Sequence, residues 1–255
     1  MPLAAALGFF NHLRKLLKKS TTGRFIALKA APMLVKNWRV CFACLLTSIS
    51  IDMNGQNLPK DSPVRFLALG DSYTIGESVA EVQRWPVQLE KALTKRGYQV
   101  EKPEIIAVTG WRTDQLKDAL LARHLPHNYD LVSLLIGVNN QYQKQSLPKY
   151  QREFAELLDL AVAHAGGDAS KVFVLSIPDY GFTPFGKSNQ AEISKGIDAF
   201  NDVNRAIARE RKVTYIDITE ISRNGLADPT LIADDGLHPS GKMYGLWVEK
   251  ILQKF

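Results

Sequence analysis

From residue 64 onward, short apolar runs alternate with longer amphipathic segments. The runs Val64–Leu69, Glu104–Val108, Asp130–Ile136, Lys171–Ile177 and Val213–Ile218 predict five strands. Their apolar positions are nearly continuous rather than alternating, which is the pattern of strands buried on both faces of a parallel sheet. The segments Pro86–Arg96, Thr113–Arg123, Lys149–Ala165, Gln190–Lys212 and Ser240–Leu252 predict helices. Trp85-Pro86 opens the first and Gly97 closes it, following the Pro-at-start, Gly-at-end asymmetry. Thr113 is the expected N-cap of the second. Strand and helix in alternation give an α/β fold: a three-layer α/β/α sandwich with a five-stranded parallel sheet in the flavodoxin-like order 2-1-3-4-5. Residues 64–255 are expected to form that domain. Neither an internal repeat nor a low-complexity tract interrupts it.

Charge separates this body from what precedes it. The chain of 255 residues carries a net charge of +6. Eight of its 32 basic residues lie within residues 1–40, where no acidic residue occurs, which leaves 24 basic against 26 acidic beyond. The body therefore lacks the basic footprint of a nucleic-acid binder. The basic start leads into the apolar run Val40–Ile51. That run is short for a membrane span of about 20 residues and fits the core of a secretory signal. With Lys36 and Arg39 as its positive flank, residues 33–55 read as a signal segment beginning at Met33. Residues 1–32 then read as an upstream extension, or as a basic amphipathic segment lying on a membrane. Cys41 and Cys44 fall inside the apolar run, where small apolar residues of a targeting segment are the expected reading. Residues 56–63 read as a linker. The mature protein is expected to be secreted or periplasmic, with membrane anchoring through an uncleaved N-terminal segment as the alternative.

Ligand chemistry in open parallel sheets gathers beyond the carboxyl ends of the strands. After the first strand come Gly70, Asp71 and Ser72. After the second come Thr109, Gly110, Trp111 and Arg112, and after the third Gly137-Val-Asn-Asn140. The fourth is followed by Pro178–Pro184, and Asp234-Asp-Gly-Leu-His238 precedes the last helix. A serine hydroxyl needs a base before it acts as a nucleophile. His238 is the candidate base, because His124, His127 and His164 suit surface or capping positions. Asp235, three residues earlier on a tight loop, is placed to hold the imidazole by its far nitrogen; Asp234 is the runner-up. Oxyanion donors are available from the Ser72 N–H, the Gly110 N–H and the Asn139 amide.

Together Gly70-Asp-Ser72, Gly110, Gly137-Val-Asn139 and Asp235-Gly-Leu-His238 resemble the four sequence blocks of the SGNH (GDSL-type) esterases and lipases. The resemblance spans about residues 64–252. It implies a serine ester hydrolase without metal or cofactor, with Ser72 as nucleophile, His238 as general base and acid, and Asp235 as its orienter. Ser72, Gly110 and Asn139 would form the oxyanion hole. The third block departs from the usual Gly-x-Asn-Asp at Asn140, which can donate where an aspartate only accepts. Ser72 also lacks the Gly-x-Ser-x-Gly setting of the α/β-hydrolase elbow. Asp71 is expected to stabilise the turn rather than to serve as the acid of the triad.

The partner is accordingly expected to be a small-molecule, polysaccharide or lipid ester. A carbohydrate ester, a lysophospholipid and a thioester all remain open. Trp111, Tyr180, Phe182 and Phe185 are candidate lining residues, and Glu77, Arg84 and Arg112 candidate borders. The competing classes are a flavodoxin-like binding module and a catalytically silent surface protein. The first turn carries no Gly-x-Gly-x-x-Gly phosphate cradle, and a silent protein needs no Asp-x-x-His.

Overall fold

The computed structural model describes residues 58–255. The readings made on residues 1–57 lie outside the described residues. A strand β1 (Phe66–Gly70) leads into a short helix α1 (Ser72–Ile75), followed by α2 (Trp85–Lys95), β2 (Glu104–Ala107) and α3 (Thr113–Leu121). Next come β3 (Leu131–Leu135), the short α4 (Val138–Tyr142), the long α5 (Leu147–His164) and β4 (Val172–Leu175). The chain closes with α6 (Gln190–Glu210), β5 (Thr214–Ile216), α7 (Thr219–Ser222) and α8 (Gly241–Ile251).

All five strands pair in parallel in the order β2-β1-β3-β4-β5, the order predicted. Every residue of β1, β3 and β4 is buried, because helices cover both faces. On one side α2 packs against α8; on the other, α5 packs against α3 and α6. Phe66, Trp85 and Phe173 meet in the first layer with ring centroids 6.1–6.5 Å apart. Leu58, within the segment read as linker, is buried against the core. Among the described residues, no helix is long and apolar enough to cross a membrane.

Element boundaries differ from the sequence reading where a side chain takes over a backbone role. Helix α5 begins at Leu147, two residues early, because Pro148 suits a first helical turn. Thr113 is not the N-cap of α3: Arg112 holds that position, and its N–H donates to Gln115 Oε1 at 3.1 Å. The Thr113 N–H is satisfied from a distant loop, by Asn140 Oδ1 at 3.1 Å. The short helices α1, α4 and α7 escape periodicity, since four or five residues show no repeat.

Candidate active site

The loops after β1, β2, β3 and β4 and the loop before α8 converge on one cavity of about 200 Å³. Ser72, Gly110, Asn139, Tyr180 and His238 line it, together with Tyr73, Thr109, Val138, Tyr142, Phe185 and Leu237.

Ser72 reaches the cavity because the chain reverses immediately after β1. A Cβ at Gly70 would lie 2.5 Å from the Leu135 carbonyl and 2.1 Å from Thr74 Oγ1, so no larger residue fits this exit. Asp71 then caps α1, its Oδ1 accepting from the Tyr73 N–H at 3.1 Å. The turn-stabilising role expected of Asp71 is what its contacts describe. Burial pushes its carboxyl up to about 7, against the pull of the Tyr73, Asp71 and Gly137 amides. Ser72 is the first residue of α1, and the first N–H groups of a helix have no intrahelical acceptor.

His238 is set by a loop pinned at both ends. Ile232 bridges Pro239, and the Ala233 N–H donates to the His238 carbonyl at 2.8 Å. Inside it, Asp235 Oδ1 accepts from the Leu237 and His238 N–H groups, each at 2.9 Å. Asp235 Oδ2 lies 2.6 Å from His238 Nδ1. Because a carboxylate accepts, this contact fixes the proton on Nδ1 and leaves Nε2 as the free nitrogen of the neutral ring. Gly236 makes the loop's turn at φ +72°. Partial burial raises the Asp235 carboxyl, but hydrogen bonds from Ser78, the His238 ring and the His238 and Leu237 amides outweigh it and hold the group well below the usual range. The Tyr73 ring meets the His238 ring edge-on, with centroids 5.7 Å apart. Among the described residues no hydrogen bond joins Ser72 to His238, though both face the same cavity. Such contacts often close only around substrate.

Also lining the cavity, Asn139 donates through Nδ2 to the Trp111 carbonyl at 2.9 Å. An amide NH₂ has two hydrogens, so one anchors the group and the other stays available to the cavity. Gly110 turns at φ +84° with open space where a Cβ would sit, so backbone conformation rather than crowding calls for glycine. This arrangement offers a hydroxyl, an imidazole held by a carboxylate, and amide donors around one space. Among the described residues, no three His, Cys, Asp or Glu side chains gather into a metal-binding group.

Residues 68–246 match the GDSL-like lipase/acylhydrolase family. The chain belongs to that family. It is therefore a carboxylic ester hydrolase. No curated protein sequence matches it. Among solved structures it resembles TesA at 20% identity and TM-score 0.58, with 76% of this chain and 97% of that one covered. A lipase/acylhydrolase from Enterococcus faecalis is similar at 20% identity and TM-score 0.58, over 74% and 94% of the two chains. The acetylxylan esterase Axe2 from Geobacillus stearothermophilus is similar at 19% identity and TM-score 0.55, over 75% and 93%. At these identities the likeness is one of fold.

Within this acylhydrolase, Tyr180 and Phe185 are among the residues that line the cavity, and Trp111 is not. Its ring packs, half-buried, against the core, and the residue meets the site through its carbonyl. Phe182, Glu77, Arg84 and Arg112 are likewise absent from the lining. Glu77 accepts a hydrogen bond from Thr109, which does line it, and Arg112 is engaged by Asp114 and Gln143. Sequence reasoning missed Tyr142 and Ser78. Tyr142 lies three residues after Asn139, on the same face of α4, so a predicted α4 would have revealed it. Ser78 donates to Asp235 Oδ2 at 2.6 Å across 157 residues, and no local pattern announces that contact.

Proposed function

We propose that this acylhydrolase cleaves a carbohydrate or lipid ester through an acyl-enzyme on Ser72. Ser72 Oγ attacks the ester carbonyl carbon while His238 Nε2 takes its proton. Asp235 stabilises the imidazolium that forms and keeps the ring oriented. The carbonyl oxygen becomes an oxyanion and rests on the Ser72 and Gly110 N–H groups and the second hydrogen of Asn139 Nδ2. As the tetrahedral intermediate collapses, the bond to the alcohol breaks and His238 returns the proton to the leaving oxygen. Water then attacks the acyl-enzyme by the same route, releasing the acid and restoring Ser72.

The observation that carries this reading is the 2.6 Å contact between Asp235 Oδ2 and His238 Nδ1 behind a cavity lined by His238, Ser72, Gly110 and Asn139. The test is hydrolysis of p-nitrophenyl acetate by wild type and by Ser72→Ala and His238→Ala. Each substitution is expected to lower kcat by at least about 10³-fold, with an unchanged circular dichroism spectrum. A folded Ser72→Ala variant that retains wild-type turnover rejects the assignment. A lysophospholipase- or thioesterase-like activity would use the same residues on a different leaving group.

A further inference from the structure

Next to the cavity that holds Ser72 and His238 lies a second one of about 280 Å³. The two share a wall of three aromatic rings, Tyr142, Tyr180 and Phe185. Among the described residues, Tyr142 and Phe185 are the two exposed aromatic side chains, at 56% and 52% exposure. Exposed apolar rings at the rim of a cleft mark a contact surface. The three centroids stand 6.1, 6.2 and 6.4 Å apart. Rings at that separation touch one another, so they form a ridge rather than a hollow cage around an ammonium group.

Beyond the ridge the lining turns polar. Gln141, Ser188, Asn189 and Glu192 face the second cavity. Gln141 is held in place: its Oε1 accepts from the Tyr180 hydroxyl at 2.9 Å, and its Nε2 packs against Gly196. Asn189 Nδ2 donates to Glu192 Oε2 at 3.1 Å, leaving the Asn189 carbonyl and the other carboxylate oxygen of Glu192 as acceptors. Lys144 contributes one ammonium and Glu192 one carboxylate, so the lining has no net charge to recruit a phosphate or a cation. A lipid tail would need apolar walls to continue, and beyond the ridge only Ile193 continues them.

Resting on the esterase reading above, we propose that the second cavity is a subsite for an uncharged, hydroxyl-rich leaving group. The substrate is then a short-acyl ester of a sugar. The first cavity, about 200 Å³, has room for the ester and a short acyl chain. The apolar face of a sugar ring lies on Tyr142 and Phe185, and its hydroxyls reach Gln141, Asn189 and Glu192.

The experiment compares kcat/KM on 6-O-acetylglucose, p-nitrophenyl acetate and lysophosphatidylcholine for wild type, Phe185→Ala and Asn189→Ala. The two substituted side chains are exposed, and circular dichroism checks that the variants fold. Each substitution is expected to lower the ratio of acetylglucose to p-nitrophenyl acetate kcat/KM about tenfold, or about 1.4 kcal/mol. Ratios left at the wild-type value in both variants overturn the subsite and leave the esterase reading standing. So does a wild type that prefers lysophosphatidylcholine to acetylglucose. A wild type inactive on all three esters overturns both.

Discussion

Ser78 Oγ donates to Asp235 Oδ2 at 2.6 Å, on the same oxygen that faces His238 Nδ1. Ser78 holds a left-handed backbone at φ +64°, unusual for a residue with a side chain. The carboxylate thus accepts from two amides, an imidazole and this hydroxyl. In the proposed mechanism Ser78 is a positioning residue: it touches no substrate and steadies the group that orients the base. Ser78→Ala is expected to lower kcat by about 3- to 10-fold with little change in KM, in line with about 1 kcal/mol for one hydrogen bond. Losing a donor also makes Asp235 a stronger base, which favours the protonated imidazole. The acid limb of the kcat/KM profile should therefore move to higher pH. An unshifted limb with unchanged kcat assigns Ser78 to the loop alone.

Asn140 is fully buried and works through α3 rather than on the cavity. Its Oδ1 accepts from the Thr113 N–H, and its Nδ2 donates to Thr113 Oγ1 at 2.6 Å and Gln145 Oε1 at 3.2 Å. The single Thr113 hydroxyl hydrogen goes to Glu153 Oε2 at 2.6 Å, so the Asn140 partner must be a donor. This accounts physically for an amide where the family pattern usually has an acid. Asn140→Asp places a carboxylate against two acceptors and is expected to destabilise the fold by about 2–3 kcal/mol in urea titration. Adding Glu153→Gln lets residue 153 donate and frees the Thr113 hydroxyl for Asp at 140. The double variant should recover part of the loss; a purely additive result rejects this network.

These two contacts mark what the chain discloses and what it conceals. β1 and β3 are legible because burial on both faces writes a continuous apolar run. Asp235 and His238 are legible as a pair because three residues of tight loop bring them together, and the distance is local. Ser78 and Asn140 act over 157 and 27 residues, and no local spacing encodes such contacts. The Trp111 ring packs against the core rather than lining the cavity, and the glycine before it in the sequence does not disclose which way the next side chain turns.

Asp71 links stability to pH. Its folded-state pKa of about 7 stands above the ordinary 3.8 because the carboxyl is desolvated. The folded protein therefore holds this proton more tightly than the unfolded chain. The resulting stabilisation is fully present below pH 3.8, shrinks as pH rises, and is gone above about 7. A shift of this size corresponds to up to about 4 kcal/mol across that window. Asp71→Asn removes the titration. Unfolding free energies measured from pH 4.5 to 8 should fall less steeply with pH in the variant than in wild type. Parallel curves would show that Asp71 does not titrate in this range.

Arg223 supports the aromatic wall from behind. Its Nε donates to Asp179 Oδ2 at 3.1 Å, and its other nitrogens reach Asp198 and Glu220. Asp179 is buried, and its Oδ1 accepts from the Gly181 N–H at 2.9 Å, fixing the turn that carries Tyr180. Removing the cation leaves a buried carboxylate unpaired, which costs about 3–5 kcal/mol. Arg223→Met is expected to lose about 3 kcal/mol of stability and, by loosening the Tyr180 turn, to raise KM for ester substrates more than it lowers kcat. Arg223→Met with Asp179→Asn removes the unpaired charge while keeping an acceptor for Gly181. The double variant should regain stability and most of the KM. If the double variant is as unstable as Arg223→Met alone, packing of the arginine stem, not its charge, holds this wall in place.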